Sequence, residues 1–301
     1  MDFKLDKSHL LQQELFRRFA ETEIKPLAKE MDEKEEYDLE LLAKMQKYGF
    51  FGIPYSKEYG GAGSDTLGYT LCMEEVSKID ASTGITISVH TSLCCSCINN
   101  YGTEEQKQKY LRPLIDGSRI GCFGLTETNA GSDVQGAQTT AVKDGDEWII
   151  NGSKIFTTNS GFADTCIVFA LTDRSVPAAK GMTAFIVDLK DTPGVTVSEN
   201  IERMGIRAAS NCIVSYDNVR VSADRQLGQV GKGFKIAMQT LDGGRIGIAA
   251  QALGLGEGAV NEAIKYTQER VQFGKRLSQF QNTQFQLADM HTRMKAAQYL
   301  V

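Results

Sequence analysis

Histidine is scarce and a basic surplus is missing. Three histidines stand among 301 residues, and 33 Lys and Arg face 38 Asp and Glu, for a net charge of −5. An acidic chain without a basic arm is a poor general nucleic-acid binder, because phosphate contacts need clustered Lys and Arg. Cys94-Cys95-Ser96-Cys97 resembles a metal cluster, but with few histidines and no second Cys pair it completes no tetrahedral zinc site. The seven cysteines (72, 94, 95, 97, 122, 166 and 212) read instead as buried, reduced thiols. The N-terminal stretch MDFKLDKSHLLQQELF lacks the apolar centre of a signal peptide, and no apolar run approaches a membrane span. The expectation is a cytoplasmic protein with no membrane and no nucleic-acid partner. Nucleotide and hydrolase fingerprints are missing too. Gly228-Gln-Val-Gly231-Lys-Gly233 lacks the spacing and Ser/Thr of a P-loop, and no G-x-S-x-G elbow occurs. Gly254, Gly256 and Gly258 fall inside a helical stretch, where small residues permit close helix packing. His90 and His291 lie on helical stretches as packed or exposed side chains.

What is present is a globular composition, 42% hydrophobic and 24% charged, with length for two or three domains. Hydrophobic period divides the chain into three. From Ser8 to about Asp116 apolar residues recur at three- and four-residue spacings, beginning with Leu10, Leu11, Leu15, Phe16, Phe19 and Ile24. Asp65 suits an N-cap, Thr103-Glu104-Glu105-Gln106 a capping box, and ASTGITISVHTSLCCSCINNYG a helix buried on most sides. From about Ile120 short strands take over, with Asn151-Gly152 as a hairpin turn and further strands over 165–172, 181–189 and 211–221. Helix returns after Gly228, is broken at Gly243-Gly244, ends at Gly274, and resumes in a stretch still amphipathic at Val301. The expected fold class is multi-domain α+β. It comprises an N-terminal all-α domain (1–119), a middle antiparallel β-barrel (120–227) and an incomplete C-terminal helical bundle (228–301).

Chemistry concentrates in a few segments. Phe123-Gly-Leu-Thr-Glu-Thr-Asn-Ala-Gly-Ser-Asp133 clusters hydroxyls, glycines and an amide between apolar strands, which suits a polar heterocycle or a phosphate. Alone it reads more readily as a polar turn. It has company: Ile155-Phe156-Thr157-Thr158-Asn159 offers an aromatic to stack on a planar ring and a hydroxyl for its edge. Downstream stand Leu241-Asp242-Gly243-Gly244-Arg245 and Glu269-Arg270-Val-Gln-Phe273-Gly-Lys.

In this order and spacing the segments resemble the acyl-CoA dehydrogenase family, nearest its short-chain, butyryl-CoA type. The strings are YGGAG (59–63), YGTEEQKQKYL (101–111), FGLTETNAGSD (123–133), NGSKIFTTN (151–159), GKGFKIAMQTLDGGRIGIAAQALG (231–254) and RVQFGK (270–275). The resemblance covers essentially the whole chain. It implies FAD held between the middle and C-terminal domains, with Phe123, Leu125, Thr126, Gly131 and Ser132 lining the flavin. Thr126 would bond the pyrimidine end, Phe156 would pack on the ring, Thr158 would lie near N5, and Ser132 would reach cofactor or pantetheine. Asp242, Gly243, Gly244 and Arg245 would meet the CoA thioester. Arg270, Phe273 and Gln281 would serve the cofactor, Arg270 and Gln281 from a neighbouring subunit, so a homo-oligomer, commonly a tetramer, is implied.

The implied reaction is α,β-dehydrogenation of a short acyl-CoA thioester, or its reverse, with electrons passed to electron-transfer flavoprotein. The sequence departs from the family at the catalytic base. The expected C-terminal Tyr-Glu-Gly-Thr segment does not occur, and the alternative position is Gly244, which takes no proton. No catalytic residue is therefore assigned, and Glu127, Asp242 and Glu257 are weak substitutes. The expectation is truncation with weak or absent turnover. The alternatives are a non-catalytic acyl-CoA- and flavin-binding scaffold, and a flavin oxidase or monooxygenase of the same fold.

Overall fold

The computed structural model describes residues 3–301. Helix α1 (Lys7–Phe19) runs through a π-helical turn (Ala20–Ile24) into α2 (Lys25–Lys34), so Pro26 stands in the first turn of α2, where a missing N–H is tolerated. Helix α3 (Leu39–Lys47) and α4 (Thr66–Ser77) follow, each N-capped by an aspartate, Asp38 and Asp65. Then α5 (Ala81–Ser88) continues through a π-helical segment (Val89–Cys95) into α6 (Ser96–Tyr101). Residues 81–101 are long and apolar enough to cross a membrane, contrary to the sequence expectation, but 72% of their most apolar stretch is buried inside the fold. Ile85, Ile87, Val89, Leu93, Ile98 and the three cysteines make this segment apolar, and its role here is that of a core helix. Helices α7 (Glu104–Gln106, with the expected capping box) and α8 (Arg112–Ile115) complete the N-terminal layer.

One histidine ties two helix starts together. Asp6 caps α1 by accepting from the His9 N–H, Asp65 caps α4 by accepting from the Gly68 N–H, and the His9 ring lies 3.0 Å from a carboxylate oxygen of each. Hydrogen bonding to Asp65 raises the His9 pKa above its ordinary value. A raised histidine contributes stability that is fully present below the unfolded pKa and is lost as pH rises through the folded one. Urea midpoints are therefore expected to fall as pH rises above the ordinary histidine range of about 6.5, and His9→Gln to flatten that slope. An unchanged slope in the variant would place the effect elsewhere.

The middle domain is a mixed sheet, not the closed antiparallel barrel expected. Its strands are β1 (Gly121–Gly124), β2 (Thr140–Asp144), β3 (Glu147–Thr158), β4 (Thr165–Leu171), β5 (Met182–Asp188, after the short helix α9, Ala178–Gly181), β6 (Val195–Val197), β7 (Asn211–Ser222) and β8 (Gln226–Leu227). The order is β6-β7-β3-β2-β4-β5-β8, with β1 beside β4. The hairpins β2–β3 and β4–β5 meet in a parallel seam, because β1 and the Thr140–Leu171 bridge both pair parallel with β4. The outer strands β6 and β8 do not pair with each other, so the sheet stays open.

Asn151-Gly152 is not the hairpin turn. The β2–β3 turn lies at Asp144-Gly145-Asp146, where Gly145 supplies φ +59°, and Gly152 sits inside β3 at an irregularity between Ile150 and Gly152. A Cβ on Gly152 would stand 2.6 Å from Thr139 Oγ1, so this glycine answers to strand crowding. The run TCIVFAL of β4 is apolar on both faces because both are covered. Cys166, Val168 and Ala170 join a core with Phe16, Phe50 and Trp148, while Ile167 and Phe169 join a second with Ile98, Phe123 and Ile236.

Helix α10 (Gly233–Glu269) is unbroken over 37 residues, so Gly243-Gly244 does not interrupt it as expected. It packs against α4 through small residues: a Cβ on Gly254 would lie 2.3 Å from Glu74 O, and one on Gly258 2.2 Å from Lys78 O. Gly256 faces α11 (Gln281–Leu300) instead, 2.8 Å from Met294 Sδ by the same test. Beside that contact Lys78 is ringed by Glu74, Glu75 and Glu257 at 3.1, 3.0 and 2.8 Å, and Arg17 reaches Glu75 at 3.2 Å. Gly274 lies in the β9–β10 hairpin (Val271–Gln272, Lys275–Arg276), and α10 already ends at Glu269. All seven cysteines are buried and free. Cys94 approaches Thr165 O, Cys95 the His90 ring and Cys97 the Thr240 hydroxyl.

Candidate active site

The segment after β1 is an extended strip fixed along one side. Ile155 N–H donates to Thr126 O at 2.9 Å, and Glu127 and Ala130 exchange two backbone hydrogen bonds across Thr128-Asn129. Phe123 and Leu125 point inward: both are buried, and the Phe123 ring lies 5.0 Å from that of Phe169. Thr126 is half-buried, and neither its N–H nor its hydroxyl has a hydrogen-bond partner among the described residues. Gly131 and Ser132 continue the strip on the exposed side, ahead of the turn that Asp133 caps by accepting from the Gln135 N–H.

Beside this strip the end of β3 takes an unusual shape. The pairing with β7 slips between Lys154 and Thr157, and Phe156 at the slip has φ +55° and is 55% exposed. Three residues on, Asn159 has φ +73°. Left-handed backbone is costly for a bulky residue and persists only where its surroundings enforce it. Asn159 supplies the enforcement, since its buried amide donates to Thr86 O at 3.0 Å and Gly121 O at 3.2 Å and so ties the end of β3 to α5 and β1. Thr158 is half-buried, and its hydroxyl has no partner among the described residues. An exposed aromatic plane thus stands beside two free hydroxyls and a free N–H, an arrangement that can hold a flat polar heterocycle.

Helix α10 brings a second group. Gly244 is buried against Leu93, where a Cβ would lie 3.0 Å from Cδ2. Gly243 faces open space, and the exposed Asp242 and Arg245 form a loose pair at 3.7 Å. Arg270, Phe273 (93% exposed) and Gln281 lie past the far end of α10, in and after the β9–β10 hairpin, and no hydrogen bond joins them to the strip. One chain thus brings Thr126, Phe156 and Thr158 together, with Arg270, Phe273 and Gln281 in a separate element after α10.

The substitute bases are engaged elsewhere. Glu257 pairs with Lys78, and Asp242 lies at the surface. Glu127 is buried, with its carboxylate accepting from Gln138 N–H at 2.6 Å, Thr139 N–H at 3.1 Å and Lys154 Nζ at 2.6 Å. Burial raises the Glu127 pKa, but the Lys154 ammonium and these donors outweigh it and hold the carboxyl below its ordinary value. Lys154 itself went unnoticed in the sequence. Its side chain is wholly buried, which pulls the ammonium below its ordinary pKa against the opposing pull of Glu127. A signal was there: period two places Lys154 in phase with the inward Trp148 and Ile150.

With this geometry in hand, comparison with known proteins is specific. Residues 6–118, 122–219 and 231–301 match the N-terminal, middle and C-terminal domains of acyl-CoA dehydrogenase. A short-chain specific acyl-CoA dehydrogenase of Clostridium acetobutylicum is 52% identical over 301 residues, spanning 100% of this chain and 79% of the relative. The solved butyryl-CoA dehydrogenase of Megasphaera elsdenii superposes with a TM-score of 0.96 at 46% identity, covering 100% of this chain and 79% of that one. A chain in a structure of the electron transferring flavoprotein of Acidaminococcus fermentans gives 0.97 at 48% identity, covering 100% and 78%. The mixed sheet between helical layers, the exposed ring of Phe156 and these similarities over the full chain agree: this chain belongs to the acyl-CoA dehydrogenase family of oxidoreductases.

Proposed function

We propose that the chain is the FAD- and acyl-CoA-binding part of a short-chain acyl-CoA dehydrogenase, cytoplasmic, working on butyryl-CoA-like thioesters or reducing the matching 2-enoyl thioesters. Electron-transfer flavoprotein is the proposed redox partner, a reading supported by the likeness to a chain solved in the Acidaminococcus flavoprotein structure. The observation that carries the proposal is Phe156, a half-exposed aromatic in left-handed backbone beside the unpartnered Thr126 and Thr158. FAD, when bound, supplies a two-electron acceptor.

The residues present fit that group. Thr126 N–H and hydroxyl are free to hold the pyrimidine edge, Phe156 to cover the ring, Thr158 to donate near N5, and Ser132 to reach cofactor or pantetheine. Asp242 and Arg245 stand exposed for the CoA moiety, with Gly243 and Gly244 leaving room between them. Arg270, Phe273 and Gln281 lie in a separate element after α10, which supports their service to the cofactor of a neighbouring copy in a homotetramer. The proposed domain limits are 1–119, 120–227 and 228–301.

No carboxylate in these 301 residues is offered as the base. Gly244 has no side chain, and Glu127, Asp242 and Glu257 are engaged or displaced as described. A base must lie within hydrogen-bond reach of the proton it takes. The expected outcome is a yellow protein that binds FAD and butyryl-CoA, with little bleaching and little dye reduction by these 301 residues. A longer chain that adds a Tyr-Glu-Gly-Thr-like segment should bleach rapidly. Equal turnover of both would overturn the missing-base reading, and a colourless, FAD-indifferent protein would overturn the flavin reading. The same engaged carboxylates favour a second reading, a flavin- and acyl-CoA-binding module without turnover. It would hold if the longer chain also failed to bleach.

A further inference from the structure

A buried lysine lies beneath the strip. Lys154 is one of the largest fully buried side chains in the molecule, and its aliphatic stem crosses the bare face of Gly124, where a Cβ would lie 3.3 Å from Lys154 Cγ. Its ammonium donates to Leu125 O at 3.2 Å and to Glu127 Oε1 at 2.6 Å. Glu127 in turn gathers the N–H groups of Gln138 and Thr139, at the start of β2. Next along β3, Ile155 N–H takes Thr126 O. The carbonyls of two consecutive strip residues are therefore held by two consecutive β3 residues, the second immediately before Phe156.

A buried ion pair is a poor source of net stability, because desolvating two charges offsets their attraction, and an apolar pair of similar volume does as well. What such a pair does provide is directionality: a lysine can bridge a carbonyl and a carboxylate at once, and a methyl group cannot.

Resting on the flavin reading above, we propose that Lys154 and Glu127 are positioning residues for the cofactor edge. By fixing the Leu125 carbonyl and the Glu127 carboxylate toward β3, they turn the Thr126 N–H and hydroxyl to the open side at a set distance from Phe156. Neither side chain touches the cofactor. They act through the backbone of 125–127, as outer-shell groups orient the groups that do make contact.

The test uses the full 301-residue chain stripped of flavin and titrated with FAD, read by quenching of flavin fluorescence and by the shoulders of the visible band. Lys154→Met alone leaves Glu127 buried without its cation and can fail to fold. The decisive variant is Glu127→Gln/Lys154→Met, which removes both charges while the Gln carbonyl oxygen can still accept from one of the Gln138 and Thr139 N–H groups. The double variant is expected to unfold within a few degrees of the parent in the flavin-free state. Its FAD dissociation constant should rise by about 10-fold or more and the resolved shoulders of bound flavin should blur. A purely structural role would shift the unfolding temperature and leave the spectrum of bound flavin alone. Parent-like FAD affinity and spectrum in the folded double variant would overturn this proposal and leave the flavin reading standing. A parent chain that takes up no FAD would overturn both.

Discussion

Gly254→Ala is expected to lower stability by about 2–3 kcal/mol, although alanine is the better helix former. The new Cβ would fall 2.3 Å from the carbonyl oxygen of Glu74, and backbone cannot swing aside as a long side chain can. Helix α10 must then back away from α4, opening gaps along the rest of the contact. The same change eleven residues earlier should have the opposite sign. Gly243 lies in the same helix with nothing within 4 Å of its would-be Cβ, so Gly243→Ala gains only the propensity difference, about 0.5–1 kcal/mol. Denaturant midpoints of the two variants against the parent decide the matter. Two changes of the same sign would show that helix propensity, not backbone approach, governs these glycines.

Phe156→Gly is expected to separate stability from binding. Truncating a buried phenylalanine usually costs about 3–5 kcal/mol. Phe156 is 55% exposed and held at φ +55°, so glycine relieves strain there while little packing is lost. The gain and the extra freedom of an unfolded glycine are each about 1 kcal/mol and nearly cancel, which leaves the unfolding midpoint close to the parent's. FAD affinity should fall by about 10-fold or more, because aromatic stacking on a flat heterocycle contributes about 1–3 kcal/mol. A variant that loses stability but keeps its FAD affinity would make Phe156 a packing residue, and the flavin reading would lose its main support.

The readable parts of the sequence were those governed by short-range rules. Asp65 and the Thr103–Gln106 box are local hydrogen-bond devices, and both cap helices as expected. The failures came where distant packing overrode a local signal. Asn151-Gly152 has turn composition, yet Thr139, just before β2, presses on Gly152 and the true turn falls at Gly145. Gly243-Gly244 reads as a breaker, yet tertiary contacts along α10 carry the helix through both. Most strand pairs are antiparallel as expected, but the parallel seam on β4 was not readable: it depends on where β1 enters, which no run of residues encodes. At the site, Phe156 and its threonines stood out by type. Lys154 did not, because a lysine in a strand reads as surface until its partner Glu127, 27 residues earlier, is found.

The sheet does not close on itself, and the strands at the two ends of its order, β6 and β8, are only three and two residues long. Edges so short present too few free N–H and C=O groups to recruit a further strand. Helix surfaces are different, since Ile246, Ile248 and Leu255 of α10 and Phe285 and Tyr299 of α11 all stand exposed. The proposed assembly of this chain is therefore expected to rest on side-chain packing between helices. The shape of those faces is expected to set its specificity.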